Sequence, residues 1–485
     1  MMGEEESGSD KLFYYGFHLA DRIPKDHPLR IVKKVIDFDF VYKEVKDKYG
    51  RKGNVSIPPP VILKLMFLLF FYNVRSEREL MRSLPLRLDW LWFLGYDIED
   101  EAPHHSVLSK ARKRWGKELF HEFFIMIVKQ CIEADLVDGD KVFMDSTLID
   151  ANASNKSVID KQSVEKYANK RYRELEDKLE ERDERYISTT DPDAGVVKFS
   201  KGKAKPRYKE HRCVDERFGV ITSSITTSGT VDDGKMFEEL IDTHKENTNK
   251  EVKTVVGDSK YGTVNNYLKC KDRDIEPHLR DLKSTQEKGR KKKGIFSEEE
   301  FKYDKKTDTF ICPGGKRLRK RTYHKRREKW EYMSSKRDCD KCPLRNKCTT
   351  SKSGVRTIHR YKRQEELDKM RMEAFSYRSK LDLKKRWDLM ERTFADGTNL
   401  HGLKKARWRG HIRMQIQGYM ISAVQNIRIL IKHTYVKADS GAIIKKKPER
   451  INIINLNFIS FSYIFQVLVK LKKNFRNYRL CGITG

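Results

Sequence analysis

Apolar residues in the first third of the chain recur with the spacing of helices. In residues 61–74 (VILKLMFLLFFYNV) and 119–137 (LFHEFFIMIVKQCIEADLV) they return every three or four positions or form a continuous run. Apolar residues at this spacing are typical of helices. We therefore predict an all-α N-terminal domain over residues 1–138, with DNA binding as its expected role.

From residue 139 onward the pattern becomes that of strands. A short apolar run, KVFMD (141–145), is followed after a polar segment by residues 211–227, which indicate two strands joined by a turn. Residues 235–244 indicate a helix, and a second apolar run, TVVGD (254–258), comes after it. The order strand, hairpin, helix, strand predicts an α/β fold with a ribonuclease-H-like mixed sheet.

A long insertion interrupts this predicted catalytic domain. A charged and apolar stretch around Glu391 is typical of a helix, but it follows the run at 254–258 after far more residues than one connection needs. We predict these parts: first catalytic part 139–275, basic Cys-bearing insertion 276–364, second catalytic part 365–435 and C-terminal tail 436–485.

Three acidic residues occur where a two-metal phosphodiester-transfer site needs them. Asp145 and Asp258 each end a predicted strand, and sites of α/β proteins form at such ends. Glu391 is on the predicted later helix. Three carboxylates of this kind can hold two Mg²⁺ ions about 4 Å apart. With 71 Asp and Glu residues in the chain, each acid alone is also consistent with a surface charge or a helix cap.

The charge of the chain favours a polyanionic partner. It has 102 Lys and Arg against 71 Asp and Glu, a net charge of +31 spread along its length. Nucleic acid fits this charge better than a membrane surface, although solubility alone is the simpler alternative. The start MMGEEESGSD lacks the pattern of a signal peptide, and the apolar run 458–469 is shorter than the roughly 20 residues of a membrane span. We expect a cytoplasmic, nucleoid-associated protein.

Two basic regions are candidates for DNA contact. Ser76 and Glu79 form a capping-box pattern at the start of one short helix, and a second is expected to begin at Ser106. Together they resemble a helix-turn-helix whose second helix carries Lys110, Arg112, Lys113 and Arg114. A solvated basic helix face is the alternative. In the insertion, residues 288–294 and 316–330 combine Lys and Arg with aromatic residues, which suits backbone contact and base stacking or, equally, a solvated loop.

Four of the eight cysteines are grouped as metal ligands commonly are. Cys339, Cys342 and Cys348 form C-x2-C-x5-C in DCDKCPLRNKC, and Cys312 precedes them in FICPGG. Four thiolates near Pro and Gly can bind Zn²⁺ tetrahedrally and so stabilise a segment with few apolar residues. We predict a possible structural zinc site, with reduced free thiols as the alternative.

These residues carry a family resemblance that covers most of the chain. It resembles the bacterial DDE-type insertion-sequence transposases, and most closely the group of insertion sequence 1182. The resemblance is carried by IPKDHPLR, SERELMRSL and FLGYD in the N-terminal part, by MDSTLIDANAS, STTDPDA, GDSKYG and ERTFADG in the catalytic part, and by the cysteine motif.

The resemblance implies an enzyme of DNA transposition. Asp145, Asp258 and Glu391 would hold two Mg²⁺ ions, and double-stranded DNA with terminal inverted repeats would be cleaved and joined to target DNA. Arg392, and more weakly Lys404 and Arg407, would contact phosphates; a homodimer is expected on DNA. The sequence departs from a neighbouring group, which has Arg four positions before the glutamate and Lys seven after it. This chain has Trp and Thr there.

Two other classes of function remain open from the sequence. A ribonuclease-H-like nuclease would cut DNA without joining strands, and an inactive regulator would bind the repeats without cutting. The intact set of three acids argues against the regulator. The helical N-terminal region argues against a simple nuclease.

Overall fold

The computed structural model describes residues 18–50, 54–160, 175, 177–178, 185–198, 204–284, 287, 289, 293–437 and 443–445. Within these ranges no helix has both the length and the apolar character needed to cross a membrane. Most of the basic run 288–294 and nearly all of the predicted tail 436–485 lie outside the described residues.

The N-terminal region is helical, as its periodicity predicts. Helix α4 is central, since all thirteen of its residues are buried. Helix α8 ends before the predicted position 137, because Asp135 takes a left-handed conformation (φ 60°) that stops the helix. The helices are α1 Leu19–Arg22, α2 Pro28–Val35, α3 Phe40–Val45, α4 Pro59–Phe71, α5 Glu77–Ser83, α6 Leu88–Leu94, α7 Ser106–Trp115 and α8 Glu118–Glu133.

The larger sheet is mixed, with β1 at its centre. Strand β1 pairs antiparallel with β5 on one side and parallel with β7 on the other, and β8 continues the parallel part. Strand β6 pairs with β5 as the predicted hairpin, and β4 extends the same edge towards β3 and β2. The strands are β1 Lys141–Asp150, β2 Val158–Asp160, β3 Tyr186–Ser188, β4 Gly195–Lys198, β5 Ala204–Asp215, β6 Ile221–Ser228, β7 Thr254–Gly262 and β8 Glu276–Asp281.

Helices cover both faces of this sheet. On one face Val142 and Met144 share a core with residues of α9, α10 and α13. On the other face Phe143 and Ile149 join a core that includes α4, α8, α14 and α15. The helices that follow the sheet are α9 Phe237–Thr248, α10 Val264–Asp272, α11 Lys336–Asp340, α12 Arg345–Cys348, α13 Gln364–Ala374, α14 Tyr377–His401 and α15 His411–Thr434.

The C-terminal end of α4 is capped from far along the chain. The carbonyl oxygen of Phe70 accepts from His401 Nδ1 at 2.9 Å, and that of Phe71 accepts from Arg428 at 2.9 Å. Arg407 bonds the loop that follows α4. The last carbonyl groups of a helix lack partners in the next turn. Arg428 supplies one for Phe71, and His401 adds a second donor to Phe70, whose carbonyl also accepts from Asn73 N at 3.2 Å.

A smaller antiparallel sheet forms in the predicted insertion. Its strand order is β13-β12-β11-β10-β9. Its core has only a few buried apolar side chains: Phe301, Phe310, Leu318, Tyr332 and Ile358. Its strands, and the pair after α15, are β9 Lys302–Asp304, β10 Thr309–Ile311, β11 Arg317–His324, β12 Lys329–Met333, β13 Thr357–Tyr361, β14 Tyr435–Lys437 and β15 Ile443–Lys445.

A buried ion pair joins the larger sheet to α14 and α15. The side chains of Arg212 and Glu210 are fully buried, and Arg212 Nε donates to Glu210 Oε1 at 2.7 Å. A second guanidinium nitrogen donates to Gln425 Oε1 at 2.8 Å. The carboxylate therefore depends on Arg212 for its counter-charge.

We expect Arg212→Met to destabilise the protein by about 3–5 kcal/mol, because it leaves the Glu210 carboxylate buried without a counter-charge. Urea unfolding followed by tryptophan fluorescence measures the change. The double variant Glu210→Gln/Arg212→Met should recover much of the loss. Equal stability of the single variant and the parent would contradict this account of the pair.

Candidate active site

Asp145 and Asp258 lie side by side on adjacent strands. Strands β1 and β7 run parallel with Lys141 opposite Thr254 and Phe143 opposite Val256. Two residues further along each strand, the aspartates are at the same height and on the same face of the sheet. The structure therefore brings the two predicted strand carboxylates together.

The aspartates are not at strand ends, which corrects the sequence interpretation. Strand β1 continues to Asp150 because it remains paired with β5 as far as Arg207. Strand β7 continues to Gly262. Strands β1 and β7 pair with each other only as far as Phe143 and Val256. The aspartates therefore lie two residues beyond the point where these two strands separate.

Burial and the charge of Arg386 act in opposite directions on the pKa of Asp145. Burial raises the pKa of Asp145, and the charge of Asp258 raises it further. Arg386 acts in the opposite direction: its guanidinium lies 2.7 Å from Asp145 Oδ2. The other oxygen, Oδ1, accepts from Ser146 N at 2.8 Å. A cation at this point is favourable, and in this structure Arg386 supplies the charge.

A third aspartate near the pair was not found from the sequence. Asp233 is almost fully buried and lies 2.8 Å from both Lys209 and Lys260. Although burial raises its pKa, these two lysines hold the pKa of Asp233 below the ordinary value. The charges of Asp258 and Asp145 also raise the pKa of Lys260. In the sequence, Lys260 could have been linked to the site because it follows Asp258 by two residues. Nothing in the sequence around Asp233 pointed to the site.

Glu391 does not meet the aspartates. It is exposed on α14, and within the part of the chain that the structure describes it has no hydrogen-bond or ion-pair partner. The positions of α14 that face the sheet include Asp382, which binds Lys141, and Arg386. Glu391 follows Arg386 by five positions, so it points about 140° further round the helix. Arg392 is exposed as well.

The predicted helix-turn-helix is not formed as expected. Ser76 does cap α5 by accepting from Glu79 N, but α6 intervenes between α5 and α7. Lys110, Lys113 and Arg114 are exposed on α7.

Arg112 was assigned wrongly to the exposed basic face. Its side chain is 4% exposed, pairs with Glu77 and lies 3.8 Å from the centre of the Trp408 ring. Burial lowers its pKa. Because Arg112 faces inward, it holds α7 to α5 and to the loop before α15.

Lys404 and Arg407 also make contacts within the protein. Lys404 Nζ donates to Thr147 Oγ1, and burial lowers its pKa. Arg407 donates to Asn73 Oδ1 at 2.9 Å, and burial lowers its pKa to about 10. Both side chains hold the loop after α14 against β1 and α4.

The four predicted zinc ligands converge at one end of the smaller sheet. Cys312, Cys339, Cys342 and Cys348 are partly buried and line one cavity. Burial raises the pKa of Cys348 to about 11, and the other three thiols add to this. No three of the sulfur atoms lie within 4.8 Å of one another. The donor set suits Zn²⁺, but binding requires the sulfurs to move closer.

Two segments of the chain match families of known proteins. Residues 17–114 match a family described as Transposase domain (DUF772), and residues 311–431 match one described as Transposase DDE domain. No curated protein matches the chain. The second segment contains Glu391 and the four cysteines, and Asp145 and Asp258 lie between the two segments. Together the two matches support a DDE-type transposase.

Proposed function

We propose that the chain is a transposase of the insertion sequence 1182 group. It binds the terminal inverted repeats of its own element and catalyses Mg²⁺-dependent DNA cleavage and strand transfer. The observation that carries the proposal is the pair Asp145 and Asp258, two carboxylates at equal height on adjacent parallel strands. The matches to transposase families on either side of this pair support the same function.

The strand order supports a ribonuclease-H-like catalytic fold. The order β6-β5-β1-β7-β8 consists of an antiparallel hairpin, a central strand and two parallel strands. Helix α9 connects β6 to β7, and α10 connects β7 to β8. We assign the catalytic domain to residues 139–275 and 365–435, with the insertion at 276–364.

The residues at the site fit Mg²⁺ in their chemistry. Asp145 and Asp258 supply hard carboxylate oxygens. Burial, and to a lesser extent the charge of Asp258, raises the pKa of Asp145, and a bound cation would favour its charged form. Bound metal supplies activation of the attacking oxygen and stabilisation of the leaving oxygen. Asp145 and Asp258 would hold the metal ions at the phosphate to be cleaved, and Glu391 would join them after α14 turns towards the site. Arg386 must then release Asp145.

The charge distribution supports DNA as the partner. Lys110, Lys113 and Arg114 form an exposed basic surface on α7 of the N-terminal domain, residues 1–138. In the insertion, β11 exposes several basic side chains near Trp330. We assign both surfaces to phosphate contact, Arg392 to phosphates near the site, and the cysteine cluster to structural zinc. A homodimer would hold the two ends of the element.

The direct test is cleavage and joining by the full-length protein on a duplex that carries the flanking ends of its own gene. We expect Mg²⁺-dependent nicking at the ends and strand transfer, with both lost in Asp258→Asn. Cutting without joining would favour a nuclease. Binding without cutting, in Mg²⁺ and in Mn²⁺ and by both proteins, would favour an inactive regulator.

We expect Arg386→Gln to bind Mn²⁺ about tenfold more tightly than the parent, because the ion no longer displaces a guanidinium from Asp145. A charged hydrogen bond contributes roughly 1.5–3 kcal/mol, and 1.4 kcal/mol is a factor of ten. Electron paramagnetic resonance of free Mn²⁺ measures the binding. The Asp145→Asn variant gives the background. Unchanged or weaker binding would mean that Arg386 does not compete with the metal.

A further inference from the structure

Three metal-ligating side chains meet on one face of the smaller sheet. Glu331 on β12 lies directly opposite His359 on β13. His324 on β11 lies opposite Lys329 on β12, and Lys329 precedes Glu331 on β12 by two positions. Since side chains alternate between the faces of a strand, all four point to the same side.

The donor atoms of His324, Glu331 and His359 are close enough to share an ion. One atom from each lies within 4.8 Å of the others, and no other group of three or more such residues in the described ranges meets this distance. His324 Nε2 and Glu331 Oε2 are 3.1 Å apart. The side chains of these two residues are 42% and 20% exposed, so an ion can reach the site from solvent.

We propose that His324, Glu331 and His359 bind a zinc ion, separately from the cysteines and from the paired aspartates. Two imidazoles and one carboxylate form a recognised zinc donor set, with a fourth position for water. The ion links β11, β12 and β13, in a sheet whose own apolar core is small. It therefore stabilises the order of the three strands.

Lys329 places a positive charge beside the proposed ion. It is 7% exposed and lies on the same face as the three ligands. Replacing this charge should therefore strengthen zinc binding, whereas removing a ligand should weaken it.

Calorimetric titration of metal-stripped, full-length protein with Zn²⁺ tests the proposal. The Cys339→Ser/Cys342→Ser background removes thiolate binding, and the same background with His359→Gln isolates the new site. We expect His359→Gln to lose one zinc equivalent or to weaken it by at least about tenfold. Lys329→Met should tighten the same equivalent. Co²⁺ bound there should give visible bands without sulfur charge transfer.

His104→Gln, at an exposed histidine in the N-terminal region, is the matched control and should leave zinc binding unchanged. Circular dichroism in EDTA checks that the variants fold; if His359→Gln does not, Glu331→Gln takes its place. Equal zinc stoichiometry and affinity with and without the ligand substitution would overturn the proposal. Zinc binding is measured without DNA, so failure of the proposed transposase activity would not affect the result.

Discussion

Asp145→Asn is expected to reduce Mg²⁺-dependent DNA cleavage by about a thousandfold or more while DNA binding persists. The amide keeps the shape of the side chain but removes the negative charge that would bind the metal ions, and the stabilisation of the transition state by metal amounts to several kcal/mol. Stability should not fall, because burial already disfavours the charged form of Asp145. Cleavage rates, electrophoretic mobility shifts and thermal unfolding on the same samples separate the three effects.

Two substitutions on α14 sharpen this test. Glu391→Gln should lose cleavage to a similar extent, since the proposal requires Glu391 to reach the site when DNA and metal bind. Asp388→Asn, at another exposed acid of the same helix, should leave cleavage unchanged. Full activity in Glu391→Gln would remove Glu391 from the site and leave the aspartate pair with a different third ligand.

The protein should lose stability steeply on mild acidification. Burial lowers the pKa of His211 to about 3 and those of His244 and His401 to about 4. Below the unfolded value near 6.5, the unfolded chain binds up to three protons that the folded chain excludes. Stability then falls by about 4 kcal/mol per pH unit. The contribution of these histidines is fully present above pH 6.5 and is lost as the pH falls towards 4.

One buried carboxyl opposes this trend. Burial raises the pKa of Asp215 to about 6, so between pH 6 and 4 the folded state binds one proton more than the unfolded state. The slope should therefore fall to about 3 kcal/mol per pH unit in that window. Urea unfolding at pH 7, 6, 5.5 and 5 should show a shallower change between pH 7 and 6, where the unfolded histidines are only partly protonated, and the net slope below pH 6. His244→Gln should remove about one proton from the dependence, and a flat profile would contradict the assignment of these histidines as neutral.

The elements that follow from short-range pattern were predictable. The apolar runs before Asp145 and Asp258 indicated strands, and their order placed the two acids in the same part of the domain. The extent of β1 was not predictable, because it depends on pairing with β5. Register between strands also decides which side chains meet, so the proximity of His324, Glu331 and His359 had no signal along the chain.

The orientation of α14 was hidden for a different reason. Its inner face combines the polar residues Asp382, Arg386 and Thr393 with the apolar residues Leu389, Met390 and Phe394. The apolar positions alone therefore do not mark the whole face that meets the sheet. The burial of Arg112 was equally hidden, because it depends on Glu77 and Trp408, the second of which is remote in sequence. Arg386 is held by Asp145, and Arg112 by Glu77 and Trp408. The residues next to each arginine in the sequence do not show that it has these partners.

The contacts at the end of α4 mean that residues 1–138 depend on the C-terminal half of the chain for their stability. A fragment that stops near residue 138 would lack His401, Arg407 and Arg428, and with them the side-chain hydrogen bonds to the carbonyl groups of Phe70, Phe71 and Val74. It would also leave much of the apolar surface of α4 and α8 uncovered. An N-terminal fragment is thus expected to be insoluble or unfolded when expressed alone. Premature termination or proteolysis that leaves only residues 1–138 should therefore not yield a stable free N-terminal domain.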